Sequence, residues 1–423
     1  MSPRIAIVGA GPAGLTLGVL LHKQRIPFTI FELRNEPTAA AIARPSGMLD
    51  LHSGSGLEAI AACGLTDEFM PLTGECSQQF LVANRAGELV YTAAADRDGP
   101  KRPEISRNNL TALLRRHVSE DSIRWGHRVR SVTSSPEGTV LEFGDPAAQP
   151  SAGPFDLVVG ADGAWSKVRA LLTPAVRPQF SGMHCITLTV THLTTRFPQL
   201  AALVGSGSFC ALGRRHAIVS QRGPLDSARL YLWLTVADDE HFAATAGLAD
   251  KPAAAAKPVL LEDEALLGTF GPVLKELVAT ACDEDAATDR DDGLLDTRAF
   301  YALPPDGYTW ASQPGVTLLG DAAHLMLPNG EGVNMAMLDA LHLSRAVAKA
   351  YNQESKAQFL KALDLPTFEK DMAARAAKEL KETDEHIERM FGNDDAAFGF
   401  VAWMKAMFEQ ATAQGKEGSE EAK

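Results

Sequence analysis

An α/β fold is predicted by three short motifs, each set behind an apolar run and each placing glycine or aspartate where a strand ends. The first is Gly9-Ala10-Gly11-Pro12-Ala13-Gly14, after Ile5-Ala6-Ile7-Val8. The second is Gly160-Ala161-Asp162-Gly163-Ala164-Trp165-Ser166-Lys167-Val168-Arg169, after Leu157-Val158-Val159. The third is Gly320-Asp321-Ala322-Ala323-His324, after Val316-Thr317-Leu318-Leu319. One such motif says little. In this order they describe one parallel sheet that touches a long nucleotide at three places. A stretch between the second and the third reads instead as antiparallel strands. The expected architecture is a GxGxxG, Rossmann-type nucleotide domain, an antiparallel β-sheet domain inserted into it, and helices at the C-terminal end.

Residues 1–77 open the nucleotide domain. Its first strand ends at Val8, Leu15 to Gln24 is a helix, and Thr29-Ile30-Phe31-Glu32 ends the second strand, which makes a βαβ unit. Residues 78–100 are an excursion into the second domain, carried by Gln78 to Tyr91. The nucleotide domain resumes over 101–177. There Asn108 to His117 is a helix, with Leu110, Leu113, Leu114 and Val118 at helical spacing. Residues 128–143 alternate as paired strands around Pro136-Glu137-Gly138, and Phe155 to Gly160 returns to the parallel sheet. From 178 to 302, segments such as Ile186–Val190 and Leu230–Leu234 alternate between turn residues, as in an antiparallel sheet. A helical stretch, Ala243 to Ala287, interrupts them. Residues 303–352 complete the nucleotide domain, with a helix over Glu331 to Tyr351. C-terminal helices fill 353–414. Of these, Phe368 to Phe391 is amphipathic. Ala396 to Gln410 carries Phe398, Phe400, Val401, Trp403, Met404, Met407 and Phe408, a face expected to dock on its own protein. Residues 415–423 read as a polar, disordered tail.

At 423 residues the chain is too long for one simple core, in keeping with two domains. A net charge of −13 argues against nucleic acid or an anionic membrane as a partner. The five cysteines are odd in number and lack CxxC spacing, which fits a reducing, cytoplasmic setting and neither a disulfide framework nor a zinc site. A first strand beginning by Arg4 leaves no room for a signal peptide. No apolar run approaches the roughly 20 residues of a membrane span. A monomer or a homodimer is expected.

The glycine motif has a mechanical logic. Gly9 permits the tight turn, Gly11 lets a pyrophosphate approach the backbone, and Gly14 lets the helix pack on the sheet, with the helix N-terminus facing the phosphates. Glu32, at the end of the second strand, suits a ribose diol. This motif alone does not separate NAD from FAD. Asp162 and Asp321, each after a strand and before a helix, point to the longer cofactor. The loop Pro328-Asn329-Gly330-Glu331-Gly332-Val333-Asn334 leads into a helix whose positive end can face a flavin pyrimidine edge.

On these residues the chain resembles the single-component, FAD-dependent aromatic hydroxylases, the class A flavoprotein monooxygenases. The Asp162-Gly163 stretch, with Ser166 and Arg169 after it, is similar to that family's specific motif. The resemblance runs from Arg4 to about Leu343. It looks closest to the tetracycline-destructase branch, through Leu49-Asp50-Leu51-His52-Ser53-Gly54-Ser55-Gly56, Pro103-Glu104-Ile105-Ser106-Arg107-Asn108-Asn109-Leu110 and Ser166-Lys167-Val168-Arg169. It implies non-covalent FAD held by Gly11, Glu32, Asp50, Arg107 and Asp321, with Gly9, Gly14, Gly332 and Asn334 completing the cofactor set. Asp162 and Arg169 would support FAD and the use of NADPH or NADH, and Arg44 matches an arginine near the mobile flavin. On the residues alone, Arg107 also reads as an exposed arginine at a helix start and Asp50 as a turn former.

For the substrate side, Arg215 matches a substrate-contacting arginine of the destructases, and Pro328 heads the loop beside the pocket. Tyr231 and Trp233 stand where that branch has a histidine and a glycine. They alternate on one strand, so they share a face expected to line the pocket. Arg215 also reads as a solvated turn residue, and the aromatics as core. The pocket glutamine of that branch has no counterpart, so the substrate need not be a tetracycline. The loop after Asp321 is one residue short, with Glu331 where a glutamine is usual and Met335 and Ala336 in place of small residues. A carboxylate pointing at reduced flavin would be repelled, so Glu331 is expected to turn away or cap its helix. His324 fits the pattern as a structural residue. No catalytic side chain and no metal site is assigned. The implied activity inserts one oxygen atom from O2 into a small electron-rich organic substrate (aromatic, polyketide or tetracycline-like) through a flavin C4a-hydroperoxide. The alternatives are a flavin oxidoreductase without oxygen insertion, or a non-catalytic flavoprotein that binds a small molecule.

Overall fold

The computed structural model describes residues 2–94, 102–144, 149–285 and 293–406. Its parallel sheet has five strands in the order Val316–Leu318, Leu157–Gly160, Ile5–Val8, Thr29–Phe31 and Ile123–Arg124. Every neighbouring pair in it is parallel. The central strands are buried along their whole length, as a sheet covered on both faces requires. The first helix, Pro12–Lys23, starts with proline, whose missing N–H costs nothing at that position. It lies close to the sheet because it carries glycine where it crosses. A Cβ on Gly14 would sit 2.0 Å from the Gly9 carbonyl oxygen. The long helix Gly332–Tyr351 packs beside it. Val129–Ser135 and Gly138–Phe143 form the expected hairpin, joined by Ala152–Phe155.

The second sheet has seven strands, ordered Asp296–Ala302, Gln179–Val190, Ser227–Thr235, His216–Gly223, Ser208–Gly213, Phe80–Asn84 and Leu89–Ala93. The early excursion thus supplies two strands. One pairing departs from the antiparallel expectation: Phe80–Asn84 runs parallel to Ser208–Gly213. This strand arrives from the nucleotide domain and not through a hairpin, so nothing forces it to reverse. The predicted helical stretch resolves into Phe242–Thr245, Ala253–Glu262 and Pro272–Glu284. Ala253, Leu260, Leu274 and Leu277 from these helices share a core with Leu230, Leu232 and Leu234 on one face of the sheet. The opposite face turns toward the nucleotide domain and the C-terminal helices.

Those helices are Lys356–Leu363, Leu365–Phe391 and a segment over 396–406. Ala396, Ala397, Phe400 and Val401 are buried with Met390, Phe391, Cys210, Leu212 and Ala217, so the terminal face docks on its own protein. Phe398 is the exception within that face. It is 62% exposed, lying across the helix from Phe400. Met407, Phe408 and the tail 415–423 lie outside the described residues. All five cysteines are free and buried. No helix among the described residues is long and apolar enough to cross a membrane.

Candidate cofactor and substrate cleft

The glycine loop is built to leave one side open. Gly9 has a φ of +107°, and a Cβ there would meet the Ala161 carbonyl oxygen at 2.3 Å, so both turn and packing require glycine. Gly11 differs. Its φ of −77° and ψ of −179° suit any residue, and a Cβ on it meets nothing within 4 Å. Gly11 therefore borders open space at the start of a helix that has no side-chain cap. Uncapped amides facing a void are what a pyrophosphate needs. Glu32 closes the loop by accepting from the Ala10 and Arg34 amides at 2.7 and 2.9 Å.

Arg107 lies within electrostatic reach of Asp321 in the next part of the cleft. Met48–Asp50 pairs with Glu104–Ser106, and Ser106 caps the helix that Arg107 begins. Arg107 is open to solvent yet ringed by protein. Desolvation draws its guanidinium below the ordinary arginine range, while Asp321 and Tyr231 pull the other way. The Arg107 amide donates to Gly47 at 2.8 Å, and Asn108 Nδ2 donates to the carbonyls of Ala41 and Arg44 at 3.1 and 3.0 Å. Asn108, which the sequence reading missed, stitches the Arg44 segment to this helix.

Asp162 and Arg169 take a supporting place. Asp162 accepts from Ser166 Oγ at 2.5 Å and from the Lys167 amide at 2.7 Å, which holds the start of helix Lys167–Leu172. Burial raises its carboxyl pKa, and these bonds oppose the rise. Arg169 is 3% exposed and donates to the carbonyls of Asp321, Ala322 and Ala164. It ties the second motif to the third and does not present its guanidinium to the cleft. His324 is likewise enclosed, with Nε2 2.6 Å from Asp339 Oδ2.

The loop from Pro328 to Asn334 is held at both ends. Pro328 itself is exposed. Asn329 Nδ2 donates to Thr383 Oγ1 at 2.7 Å. Asn334 is buried and donates to the Asp50 carbonyl at 3.0 Å. Gly332, like Gly11, faces open space. Glu331 does not cap its helix. Its carboxylate meets His52 Nδ1 at 2.8 Å.

On the second sheet the expected residues separate. Tyr231 and Trp233 do share a face, opposite Leu230 and Leu232. Tyr231 reaches the nucleotide domain, where a Cβ on Gly47 would lie 2.7 Å from its hydroxyl. Trp233, two residues along the strand, is covered by the C-terminal helix. Its ring stacks on Phe391 at 6.0 Å and meets Phe300 edge-on at 5.6 Å. Arg215 is not brought to the pocket either. It sits at φ +61° in the two-residue turn between strands, and its Nε donates to the Phe391 carbonyl at 3.0 Å. Trp233→Ala is therefore expected to destabilise the chain by about 2 kcal/mol, below the roughly 3–5 of a fully buried aromatic, with flavin content unchanged. A thermal melt with flavin absorbance checks this. An unmoved melt with an altered substrate profile would put Trp233 in the pocket.

Residues beside Tyr231 were missed. Arg298 is opposite Cys185 in the register, and Cys185 is opposite Trp233. Its side chain is 53% exposed and its Nη2 donates to Asp296 at 2.8 Å and Thr187 at 3.2 Å. Its charge opposes that of Arg107 across the cleft. Arg229 lies over the Tyr231 ring at 5.7 Å. The signal was present in Asp296-Thr297-Arg298, a charged pair alternating on one face of a strand.

Residues 3–265 and 308–380 match the family model described as FAD binding domain. The monooxygenase penA of Penicillium thymicola is 35% identical, over 93% of this chain and 96% of its own length. HpxO of Klebsiella pneumoniae, solved with FAD and uric acid, shares the fold with a TM-score of 0.71 at 18% identity, covering 96% of this chain and 93% of its own. The tetracycline destructase Tet(55) does so with a TM-score of 0.63 at 15% identity, covering 89% and 88%. An open glycine loop beside a clamped aspartate motif thus recurs on a chain matched along most of its length, and the chain belongs to the FAD binding domain family, among the class A FAD-dependent monooxygenases.

Proposed function

We propose that the chain uses FAD, NADPH or NADH, and O2 to place one oxygen atom on a small, electron-rich aromatic or polyketide-like molecule. The observation that supports this best is the convergence of Arg107, Asp321 and Tyr231 on one cleft between the two sheets. The residues fit the cofactor. Gly11 and the helix amides would take the pyrophosphate, Glu32 a ribose diol, Asp321 the chain between phosphate and flavin, and the start of helix Gly332–Tyr351 the pyrimidine edge. When bound, FAD supplies the oxygen activation and transfer. The protein's share is placement. Arg169 fixes the two aspartate loops against each other. Tyr231 and Arg298 offer a hydroxyl and a guanidinium from the opposite wall to orient a polar ring substituent. No side chain is assigned as acid or base, since His324 is committed to Asp339.

The test is a panel of phenolic and polyketide-like compounds with NADPH under air. Substrate-stimulated NADPH oxidation should accompany a product heavier by one oxygen atom. Stimulated oxidation with no such product, or tight binding without turnover, would replace this reading with an oxidoreductase or a binding protein.

A further inference from the structure

His52 is explained by neither the glycine loop nor the second sheet, yet it stands at their junction with the Pro328–Asn334 loop. Its Nε2 is 2.7 Å from Asp50 Oδ2 and its Nδ1 is 2.8 Å from Glu331 Oε1. Ionised carboxylates only accept hydrogen bonds, and a neutral imidazole donates from one nitrogen only. Two carboxylates on two ring nitrogens therefore call for the imidazolium. The backbone repeats the connection. The His52 amide donates to Asn334 Oδ1 at 2.9 Å, and Asn334 Nδ2 reaches the carbonyls of Asp50 and Gly330 at 3.0 and 3.4 Å. The Oδ1 of Asn334 also lies 2.5 Å from where a Cβ on Gly56 would be, so only a glycine at 56 leaves this asparagine its place.

We propose that His52 is a positioning residue: a cationic clamp that fastens the loop carrying Gly330, Glu331 and Gly332 to the end of the Met48–Asp50 strand, and draws the Glu331 carboxylate away from the flavin. The surroundings are otherwise acidic. Asp50 faces His52 from its own strand and Glu331 from the loop. Glu379, on the helix Leu365–Phe391, feels both Glu331 and His52, with Lys378 beside it. Glu104 stands opposite Asp50 on the paired strand. Without a cation these carboxylates would repel across the loop. The imidazole pKa is consistent with the clamp. Burial alone would lower it, and the hydrogen bonds to Asp50 and Glu331 overcome burial and raise it to about 9. A raised value in the folded state means that the clamp's contribution is complete below the ordinary 6.5 and is lost as pH rises through about 9.

The clamp is a property of the chain; only its purpose rests on the flavin reading. The experiment compares the full-length wild type, H52Q and E331Q, by thermal midpoint and by FAD dissociation constant, across that pH window. Wild-type affinity for FAD should fall about tenfold over the window, roughly the effect of one pKa unit. H52Q should already be weakened about tenfold at the low end and stay flat. E331Q, with one acceptor gone, should keep the step but move it to lower pH. A H52Q chain with the wild-type pH profile would overturn the proposal. If H52Q does not fold, an unmoved step in E331Q would do so. Failure of the wild type to bind FAD at any pH would sink the functional reading, while the thermal profiles would still decide the clamp.

Discussion

A Gly11→Val chain is expected to fold as the parent does and to lose nearly all its flavin, whereas Gly14→Val is expected not to fold stably. The two glycines lie in one turn, and the difference follows from where a Cβ would point. At Gly14 it would lie 2.0 Å from the Gly9 carbonyl oxygen, which no rotamer relieves. The helix would have to lift off the sheet. At Gly11 the backbone is extended and a Cβ meets nothing. A β-branched side chain is at ease in that conformation. It would occupy only the volume in which the pyrophosphate must lie against the helix amides. Loss of that approach should raise the FAD dissociation constant on the order of a hundredfold, about 2.7 kcal/mol. Flavin absorbance per protein measures the loss, and circular dichroism with a thermal melt checks the fold. Full flavin content in a folded Gly11→Val chain would place the cofactor elsewhere.

The parallel sheet and glycine loop were legible because their determinants are local. Apolar runs such as Ile5–Val8 and Leu157–Val159 are buried on both faces, and the turns that follow need glycine for reasons visible within a few residues. The second sheet was legible as strands, and Tyr231 and Trp233 as one face. What lies on that face was not. The cover over Trp233 is the end of a helix, Phe391, far along the chain, and strand periodicity carries no record of it. Arg214 and Arg215 form a two-residue turn with positive φ at both positions, without the Asn-Gly signal that usually announces one. Glu331 was expected to turn away from the flavin or cap its helix; it does not cap the helix and meets His52. Its partner was not foreseen, because His52 and the Glu331 loop meet only through tertiary packing. The hydrogen bond from His52 to Asn334 spans 282 positions.

Breaking the buried pair His324–Asp339 is expected to cost the cofactor domain several kcal/mol, on the order of 3–5. Asp339 is fully buried on the helix Gly332–Tyr351. Its Oδ2 accepts from His324 at 2.6 Å and from the Gly320 amide at 3.3 Å, and its Oδ1 accepts from Arg375 at 3.1 Å. Burial alone would raise the carboxyl pKa, but His324 and Arg375 outweigh it and the net shift is downward. For His324 burial works the other way, and the charge of Asp339 raises the pKa overall. Asp339→Ala strips the bond from the Gly320 amide and leaves the buried His324 without its carboxylate partner, with only the more distant charge of Asp321. Breaking a buried pair from one side costs about 3–5 kcal/mol. For a unit of this size that lowers the melting temperature on the order of 10 °C. The pH dependence should follow both partners. The carboxylate's contribution is present above its ordinary range and is lost as pH falls through its lowered value. The imidazolium's is present below its ordinary range and is lost as pH rises through its raised value. Asp339→Asn keeps the size and one acceptor but removes the charge. It should therefore lose the pH dependence at both ends while losing less stability than the alanine chain. Because Gly320 leads into Asp321, both variants should also bind FAD more weakly. An Asp339→Ala chain destabilised by no more than about 0.5 kcal/mol, the usual range for surface substitutions and far from that for buried pairs, would show that His324 finds another partner and that the third motif does not depend on this one.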